Sequence, residues 1–191
     1  MALYLASSSP RRKELLTRMG LEFTPKRATH DETLNHSADP ADEVARISIL
    51  KAEAVRPKVR DTDIIIAADT MVVLDGLMMG KPRSEPDAFS MLRRLSGRKH
   101  QVMTGLTVMK GKRSETTTVV TTIRFRSLSD EEIRAYIATG EPMDKAGAYG
   151  IQGLGAMFVI AIEGDYYNVM GLPVCTLSLM LRKFGVKLLG T

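Results

Sequence analysis

The stretch DIIIAADT, residues Asp63–Thr70, decides the fold class. Its continuous apolar run is typical of a strand buried on both faces, as in a sheet covered by helices. Asp69 and Thr70 follow this run and place polar groups at the carboxyl end of the predicted strand. Ligands of open α/β sheets bind at such ends. The stretch therefore predicts a central strand and a functional site together.

The first residues predict a second strand that leads directly into a helix. Leu3–Leu5 is a short apolar segment, and Pro10 is suited to the first turn of a helix that Ser9 caps. Gly20 is suited to ending that helix, because glycine readily adopts the left-handed backbone found there. A strand that turns into a helix in this way suits phosphate, since helix amides point out of the helix N-terminus.

Three cations crowd the first turn of this helix. Arg11, Arg12 and Lys13 oppose the helix dipole there, which is locally unfavourable unless an anion is bound. With the Ser7 hydroxyl and the helix amides, these side chains are suited to phosphate. A capped helix with a solvated basic face explains the same residues equally well. The local pattern leaves both interpretations open.

Helices and strands alternate along the rest of the chain, which predicts a mixed α/β fold. Ser129 and Glu132 form a capping box that begins one helix, and Asp75-Gly76 predicts a hairpin turn. Further helices are predicted at 39–57, 84–95 and 173–184, two strands within 101–125, and a hairpin over 157–170. No repeat, low-complexity tract or linker divides the chain, so we expect one domain over 1–191.

Composition excludes several classes of protein. Hydrophobic residues make up 44% and charged residues 26% of the 191 residues, as in globular domains rather than disordered or fibrous chains. No apolar run approaches the roughly 20 residues that cross a bilayer, and the basic residues follow the first apolar stretch, unlike in a signal peptide. Cys175 is the only cysteine, which excludes an internal disulfide and a cysteine-based metal site. We therefore expect a cytoplasmic protein without a membrane partner.

The charge of the chain is compatible with several anionic partners. A net charge of +5 and a pI near 9.4 suit nucleic acid, a membrane surface or a polyanionic small substrate. The basic residues are dispersed, however, and the chain has no tryptophan and only 5% aromatic residues. Aromatic platforms for stacking single-stranded bases are therefore not expected. We expect no stable complex with nucleic acid.

Four motifs occur in order along the chain: SSSPRR at 7–12, ADT at 68–70, GKP at 80–82 and DKAGAYGIQG at 144–153. With this order and spacing they resemble the Maf family, in its dTTP and UTP pyrophosphatase branch, over nearly the whole chain. The resemblance implies a mixed central sheet flanked by helices, with two lobes around a phosphate cleft, similar to the inosine triphosphate pyrophosphatases. It also implies a homodimer, and a house-cleaning hydrolase that cuts a nucleoside triphosphate between its α- and β-phosphates with Mg²⁺ or Mn²⁺.

The resemblance also implies roles for individual residues. Asp69 corresponds to the proton acceptor for the attacking water and to a metal ligand, whereas the local pattern alone allows a strand-terminating turn residue. Glu32 is the natural second metal ligand, because hard cations prefer oxygen, but a solvated acidic loop is the alternative and the neighbouring Asp31 leaves the assignment open. The implied phosphate contacts are Ser7, Arg12, Lys13, Lys51 and Lys81.

The resemblance further implies that Arg11, Thr70 and Gln152 determine which nucleotide base the protein binds. Family members that act on 7-methylguanosine triphosphate tend to carry an aromatic residue in place of Arg11. The Gln152 amide both donates and accepts, which matches the O4 and N3–H edge of thymine or uracil. These residues favour dTTP and UTP, and modified pyrimidine nucleotides with the same edge stay open as substrates.

Two alternatives to this function remain at the level of sequence. One is a 7-methylguanosine triphosphate pyrophosphatase, which Arg11 and Gln152 disfavour. The other is a nucleotide-sensing regulator, because the family is associated with inhibition of septum formation. Carboxylates at Glu32 and Asp69 disfavour a purely binding role, since a triphosphate sensor gains little from negative charge near phosphate.

Overall fold

A computed structural model of the chain describes residues 1–29 and 33–190. The predicted metal ligand Glu32 and its neighbour Asp31 lie outside the described residues. The strands are β1 (Leu3–Leu5), β2 (Thr24–Pro25), β3 (Ile64–Leu74), β4 (Leu77–Met79), β5 (Lys99–Lys110), β6 (Arg113–Phe125) and β7 (Val159–Glu163). Within the described ranges these seven strands form one sheet in the order β2-β1-β3-β5-β6-β7, and β4 also pairs with β3.

Helices occupy the connections between the strands. The α-helices are α1 (Pro10–Arg18), α2 (Pro40–Val55), α3 (Glu85–Leu95), α4 (Asp130–Ala138), α5 (Tyr166–Val169) and α6 (Val174–Lys183). Short 3₁₀ segments lie at Arg56–Lys58, Glu141–Asp144, Ala146–Ala148 and Leu154–Phe158. Parallel and antiparallel pairs occur in the same sheet, since β1 runs parallel to β3 and β4 antiparallel to it. The predicted mixed α/β fold is confirmed.

Strand β3 is longer than its apolar run predicted. Its residues Ile64–Ile66 pair with β1, and Val72–Leu74 pair with β4. The expectation that the strand ends before Asp69 was wrong, because Met71 and the residues after it are also buried and continue the strand. Asp69 and Thr70 therefore lie within β3, in the interval between its pairing with β1 and its pairing with β4.

Helix α1 begins and ends close to where the sequence predicted. Pro10 is its first residue, and Gly20 has the left-handed φ of 70° that favours glycine. Ser9 occupies the N-cap position, but its side chain makes no capping hydrogen bond. Leu15 and Leu16 pack into the core. The helix thus begins without a capping side chain at the end that carries its three cations.

Two other predictions of local structure had opposite outcomes. The capping box of Ser129 and Glu132 is present at the start of α4. The hairpin over 157–170 was wrong, because only β7 is a strand and α5 follows it. Asp165 caps α5 by accepting a hydrogen bond from the Tyr167 amide at 2.7 Å. The buried Asn168 amide donates to the Val102 carbonyl and to Thr121, which holds this segment in a helical turn.

The residues divide into two compact units, and β3, β5 and β6 each contribute to both. The first unit comprises Met1–Asp69, Thr104–Val119 and Gly171–Thr191. In it, α2 lies directly against β5: a Cβ on Gly105 would come within 2.2 Å of the Val44 carbonyl oxygen. Ser48 on α2 also shares a buried 2.7 Å hydrogen bond with Thr107 on β5. These contacts fix the position of α2 on the sheet.

The second unit comprises Thr70–Met103 and Val120–Met170. An aromatic cluster forms much of its core, with edge-to-face contacts among its rings. Its members are His100, Phe125, Tyr136, Tyr149 and Phe158. The buried His100 Nε2 lies 2.8 Å from the Tyr149 hydroxyl, which ties β5 to the segment that carries the DKAGAYGIQG motif.

Candidate active site

Arg12 is the most constrained cation at the start of α1. Its residue is 8% exposed, and its Nε donates to the Gly171 carbonyl at 2.7 Å. One terminal nitrogen, Nη1, donates to Ser7 Oγ at 3.2 Å. The guanidinium is therefore held by Ser7, near the start of the sequence, and by Gly171, near its end. A buried and oriented guanidinium of this kind is suited to a phosphate group.

The hydroxyl of Ser7 is oriented by two donors. Its Oγ accepts from the Ser9 amide at 3.2 Å and from Arg12 Nη1 at the same distance. A serine hydroxyl has two acceptor lone pairs and one donor hydrogen. Because both lone pairs face donors, the hydroxyl hydrogen can be given to an anionic oxygen. The structure thus brings the predicted phosphate residues Ser7 and Arg12 together.

The remaining cations of α1 lie beside this pair in sequence. Arg11 and Lys13 are both half-buried, and the first turn of α1 holds no acidic residue. The N-terminal ends of helices carry partial positive charge, so cations and amides at this turn reinforce one another toward an anion. This arrangement is suited to an anion, and phosphate binding by these side chains stays a prediction.

The second feature of the site is an ion pair between α2 and β3. Lys51 Nζ donates to Asp69 Oδ1 at 2.6 Å, and the side chains are 11% and 17% exposed. The close approach of α2 to Gly105 places Lys51 over the sheet, and Asp69 lies on β3 between the segments that pair with β1 and with β4. Sequence analysis assigned each residue a role, but nothing in the local pattern indicated that they are paired.

The parallel pairing of β1 with β3 relates these two features. Leu5 of β1 pairs with Ile66 of β3, and the next amide, that of Ala6, donates to the Ile66 carbonyl at 2.8 Å. Beyond this hydrogen bond the two segments continue in the same direction, toward Ser7 after the end of β1 and toward Asp69 in the middle of β3. The two features therefore lie just beyond the parallel pairing of β1 with β3, at the carboxyl end of β1, and α/β sheets bind their ligands at such ends.

Comparison with known protein families identifies the family of this chain. The model of the Maf-like protein family matches residues 2–184. The chain belongs to the Maf family. A protein of Moorella thermoacetica named dTTP/UTP pyrophosphatase is 47% identical over 190 residues, which cover 98% of this chain and 97% of that protein. A protein of Alkaliphilus metalliredigens with the same name is 49% identical over 190 residues, covering 98% of each.

Solved structures support the fold of this Maf chain. The Ham1 protein of Coxiella burnetii aligns with a TM-score of 0.52 and 12% identity, covering 96% of this chain and all (100%) of that one. The Staphylococcus aureus Ham1 protein aligns with a TM-score of 0.52 and 14% identity, covering 96% and 99%. At this level of identity the likeness concerns the fold alone. It confirms the predicted sheet architecture.

Three of the predicted site residues of this Maf chain lie in the second unit. Thr70 is half-buried on β3, whereas Lys81 and Gln152 are exposed. Next to Lys81, the Gly80 carbonyl accepts from the Gly147 amide at 3.0 Å. This hydrogen bond connects the GKP motif to the DKAGAYGIQG motif. The roles of these three side chains stay predictions, as does homodimerisation.

Of the predicted site residues that the structure of this Maf chain describes, Asp69 is the one with carboxylate oxygens for a divalent metal. One carboxylate oxygen contacts Lys51, and a carboxylate has further lone pairs for another ligand. Mg²⁺ is typically held by one or two carboxylates together with substrate phosphates and water. In residues 1–29 and 33–190, no group of three or more His, Cys, Asp or Glu is placed to hold a metal. Asp69 fits a metal that is shared with phosphate.

No helix in the described part of the chain combines the length and the apolar character needed to span a bilayer.

Proposed function

We propose that this protein hydrolyses dTTP and UTP to the nucleoside monophosphate and pyrophosphate in a metal-dependent reaction. The observation that carries the proposal is the Lys51–Asp69 pair on β3, which lies just beyond the parallel pairing of β3 with β1, the strand that leads to Ser7 and Arg12. It combines a proton acceptor with donors for phosphate. The names of relatives that are 47% and 49% identical supply the substrate class.

Asp69 accepts the proton from the attacking water in this reaction. Lys51 Nζ donates to Oδ1, and the remaining lone pairs of the carboxylate are left for the proton of the water and for a metal. The water oxygen forms a bond to the α-phosphorus, and the bond from that phosphorus to the bridging oxygen of the β-phosphate breaks. Lys51 keeps the carboxylate oriented through the short contact, because a fixed base is more effective than a mobile one.

The basic residues stabilise the charge that develops on pyrophosphate. Arg12 and the Ser7 hydroxyl are already oriented before substrate binds, and preorganised donors cost no rearrangement during the reaction. Lys13 and Lys81 add charge that is more exposed to solvent. A bound Mg²⁺ or Mn²⁺ supplies Lewis-acid polarisation of the phosphoryl oxygens. The Asp69 carboxylate would hold this metal, with Glu32 as the proposed second ligand.

In this proposal, Arg11, Thr70 and Gln152 select the nucleotide base. The exposed Gln152 amide offers both a donor and an acceptor to the O4 and N3–H edge of a pyrimidine. Substituents at C5 leave that edge unchanged. Modified pyrimidine triphosphates with the same edge are therefore also substrates under this proposal.

The test is pyrophosphate release from dTTP, UTP, CTP, GTP, ATP and 7-methylguanosine triphosphate, with Mg²⁺ or Mn²⁺ and with chelator. We expect turnover of dTTP and UTP that requires metal and that falls by roughly 100- to 10,000-fold in Asp69→Asn. Asp61→Asn is the matched control, because Asp61 is exposed in the same unit. Preference for the methylated purine would overturn the base assignment. Absence of turnover with every nucleotide would overturn the enzymatic proposal and favour a nucleotide sensor.

A further inference from the structure

The carboxylate of Glu141 lies against the segment 150–155, which carries Gln152. Oε2 accepts from the Leu154 amide at 2.9 Å, and Oε1 accepts from the Gly155 amide at 3.2 Å. Oε1 also accepts from the Tyr136 hydroxyl at 2.8 Å. All of these residues belong to the second unit. A single side chain thus gathers donors from α4 and from the segment after Gln152.

Tyr136 extends this arrangement to the other side of Gln152. While its hydroxyl donates to Glu141, its oxygen accepts from the Gly150 amide at 3.1 Å. Gly150 precedes Gln152 by two positions, and Leu154 follows it by two. On one side of the exposed Gln152, the backbone amide is hydrogen-bonded to the Tyr136 hydroxyl. On the other side, the backbone amides are hydrogen-bonded to the Glu141 carboxylate.

The glycines of the segment are explained by the same contacts. A Cβ on Gly153 would lie 2.4 Å from Glu141 Oε2. A Cβ on Gly155 would lie 2.7 Å from the Gly150 carbonyl oxygen and 2.8 Å from the Tyr136 hydroxyl. A side chain at position 153 would therefore meet the carboxylate, and one at position 155 would meet both the hydroxyl and the backbone of Gly150. The segment is built around the side chains of Glu141 and Tyr136.

The protonation states agree with the directions of these hydrogen bonds. Burial opposes the charged form of Glu141, but hydrogen bonds from Leu154, Gly155 and Tyr136 outweigh it and lower the pKa of the carboxyl. Burial raises the pKa of the Tyr136 phenol. At neutral pH the carboxylate is therefore an acceptor and the phenol a donor. Lys145 Nζ also donates to the Glu141 backbone carbonyl at 2.6 Å, which holds the residue itself in place.

We propose that Glu141, with Tyr136, is a positioning residue that holds Gln152 in the orientation needed to select a pyrimidine base. The inference rests on the proposed function. Glu141 contacts neither phosphate nor the reacting water in this scheme, so it acts on recognition of the base rather than on bond cleavage. Its removal should weaken pyrimidine binding and leave the chemical step largely unchanged.

The test compares Glu141→Gln and Gly153→Ala with the wild-type protein. Glu141→Gln replaces one accepting oxygen by an NH₂ group that faces a donor. Gly153→Ala places a methyl group against the Glu141 carboxylate and displaces it, without changing the side chain of Glu141 or of Tyr136. We expect each variant to raise KM for dTTP and UTP by roughly tenfold, with kcat within about threefold and a reduced preference for UTP over GTP. Glu131→Gln is the control, since Glu131 is exposed in the same unit.

Two further measurements separate positioning from general loss of structure. In a Gln152→Ala background, Glu141→Gln should raise KM little further. The effects of two substitutions are not additive when one residue acts through the other. Hydrogen exchange at the Gly150, Leu154 and Gly155 amides should accelerate in Glu141→Gln and stay unchanged in Glu131→Gln. If the amides exchange faster while KM and base preference stay at wild-type values, the proposal is overturned.

The outcomes also separate this inference from the proposed function. Wild-type protein that hydrolyses no nucleotide contradicts the proposed function and, with it, the base-selecting role of Glu141. Wild-type protein that hydrolyses dTTP and UTP, together with a Glu141→Gln variant of unchanged KM, contradicts only the positioning role. Additive effects of Gln152→Ala and Glu141→Gln would also contradict it.

Discussion

Lys51 Nζ lies 2.6 Å from Asp69 Oδ1, and both side chains are largely shielded from water. Low exposure strengthens the attraction between the two charges, but it also makes either charge costly if its partner is removed. The pair therefore couples the stability of the first unit to the geometry of the proposed proton acceptor. Substitution of either residue should be visible both in activity and in unfolding.

Lys51→Met should destabilise the protein more than the loss of an exposed lysine does. It leaves the Asp69 carboxylate without its counter-charge, for which we expect a decrease in the free energy of unfolding of about 1–3 kcal/mol in urea titration. The double variant Lys51→Met with Asp69→Asn should lose less than the sum of the single variants. Lys58→Met is the control, because Lys58 is exposed in the same unit. Additive losses would show that the pair contributes no coupling energy.

Arg12→Lys should reduce activity although the charge is conserved. Lysine cannot bond the Gly171 carbonyl and Ser7 at once with a planar fork, so the cation is no longer fixed toward phosphate. We expect kcat/KM for UTP to fall by roughly 100-fold, and Ser7→Ala to cost roughly tenfold. Arg18→Lys at the exposed end of the same helix serves as the control. Full activity of Arg12→Lys would mean that charge alone is sufficient.

Gly105→Ala should separate α2 from β5. The added methyl group would meet the Val44 carbonyl oxygen at 2.2 Å, and a backbone atom in a packed helix cannot move aside without displacing the helix. We expect a loss of at least about 2 kcal/mol in the free energy of unfolding. Activity should fall as well, because Lys51 moves with α2.

Gly76→Ala provides the comparison for this steric effect. Gly76 has open space around its Cβ position but a φ of +79°, so alanine there causes backbone strain without a clash. We expect it to cost about 1 kcal/mol. Equal destabilisation by the two substitutions would contradict the close approach of α2 to β5.

His100 should make the stability of the protein depend on pH between about 4 and 6.5. Burial lowers the pKa of His100 to about 4, whereas an exposed histidine has a pKa near 6.5. Between these values the unfolded chain binds a proton that the folded protein does not, so stability falls as pH falls. His100→Gln should reduce the slope of Tm against pH in this range.

Local features of the fold were predictable where neighbouring residues decide them. The apolar run beginning at Ile64 predicted a central strand, and Ser129 with Glu132 predicted the start of α4. Pro10 and Gly20 predicted the bounds of α1. The predicted hairpin after β7 was wrong because Asn168 forms hydrogen bonds with Val102 and Thr121, far away in the sequence. Periodicity in the sequence contains no information about such partners.

The sequence by itself determined the central strand, most helix starts and the set of charged groups, because these depend on residues within a few positions of one another. Only the tertiary structure decided how those groups are paired. Lys51 meets Asp69 through packing of α2 on the sheet, and Arg12 reaches a carbonyl 159 residues away. Glu141 holds the segment around Gln152 because the chain after α4 returns to it. Such contacts arise when whole elements pack together to bury their apolar faces, so no local pattern specifies them.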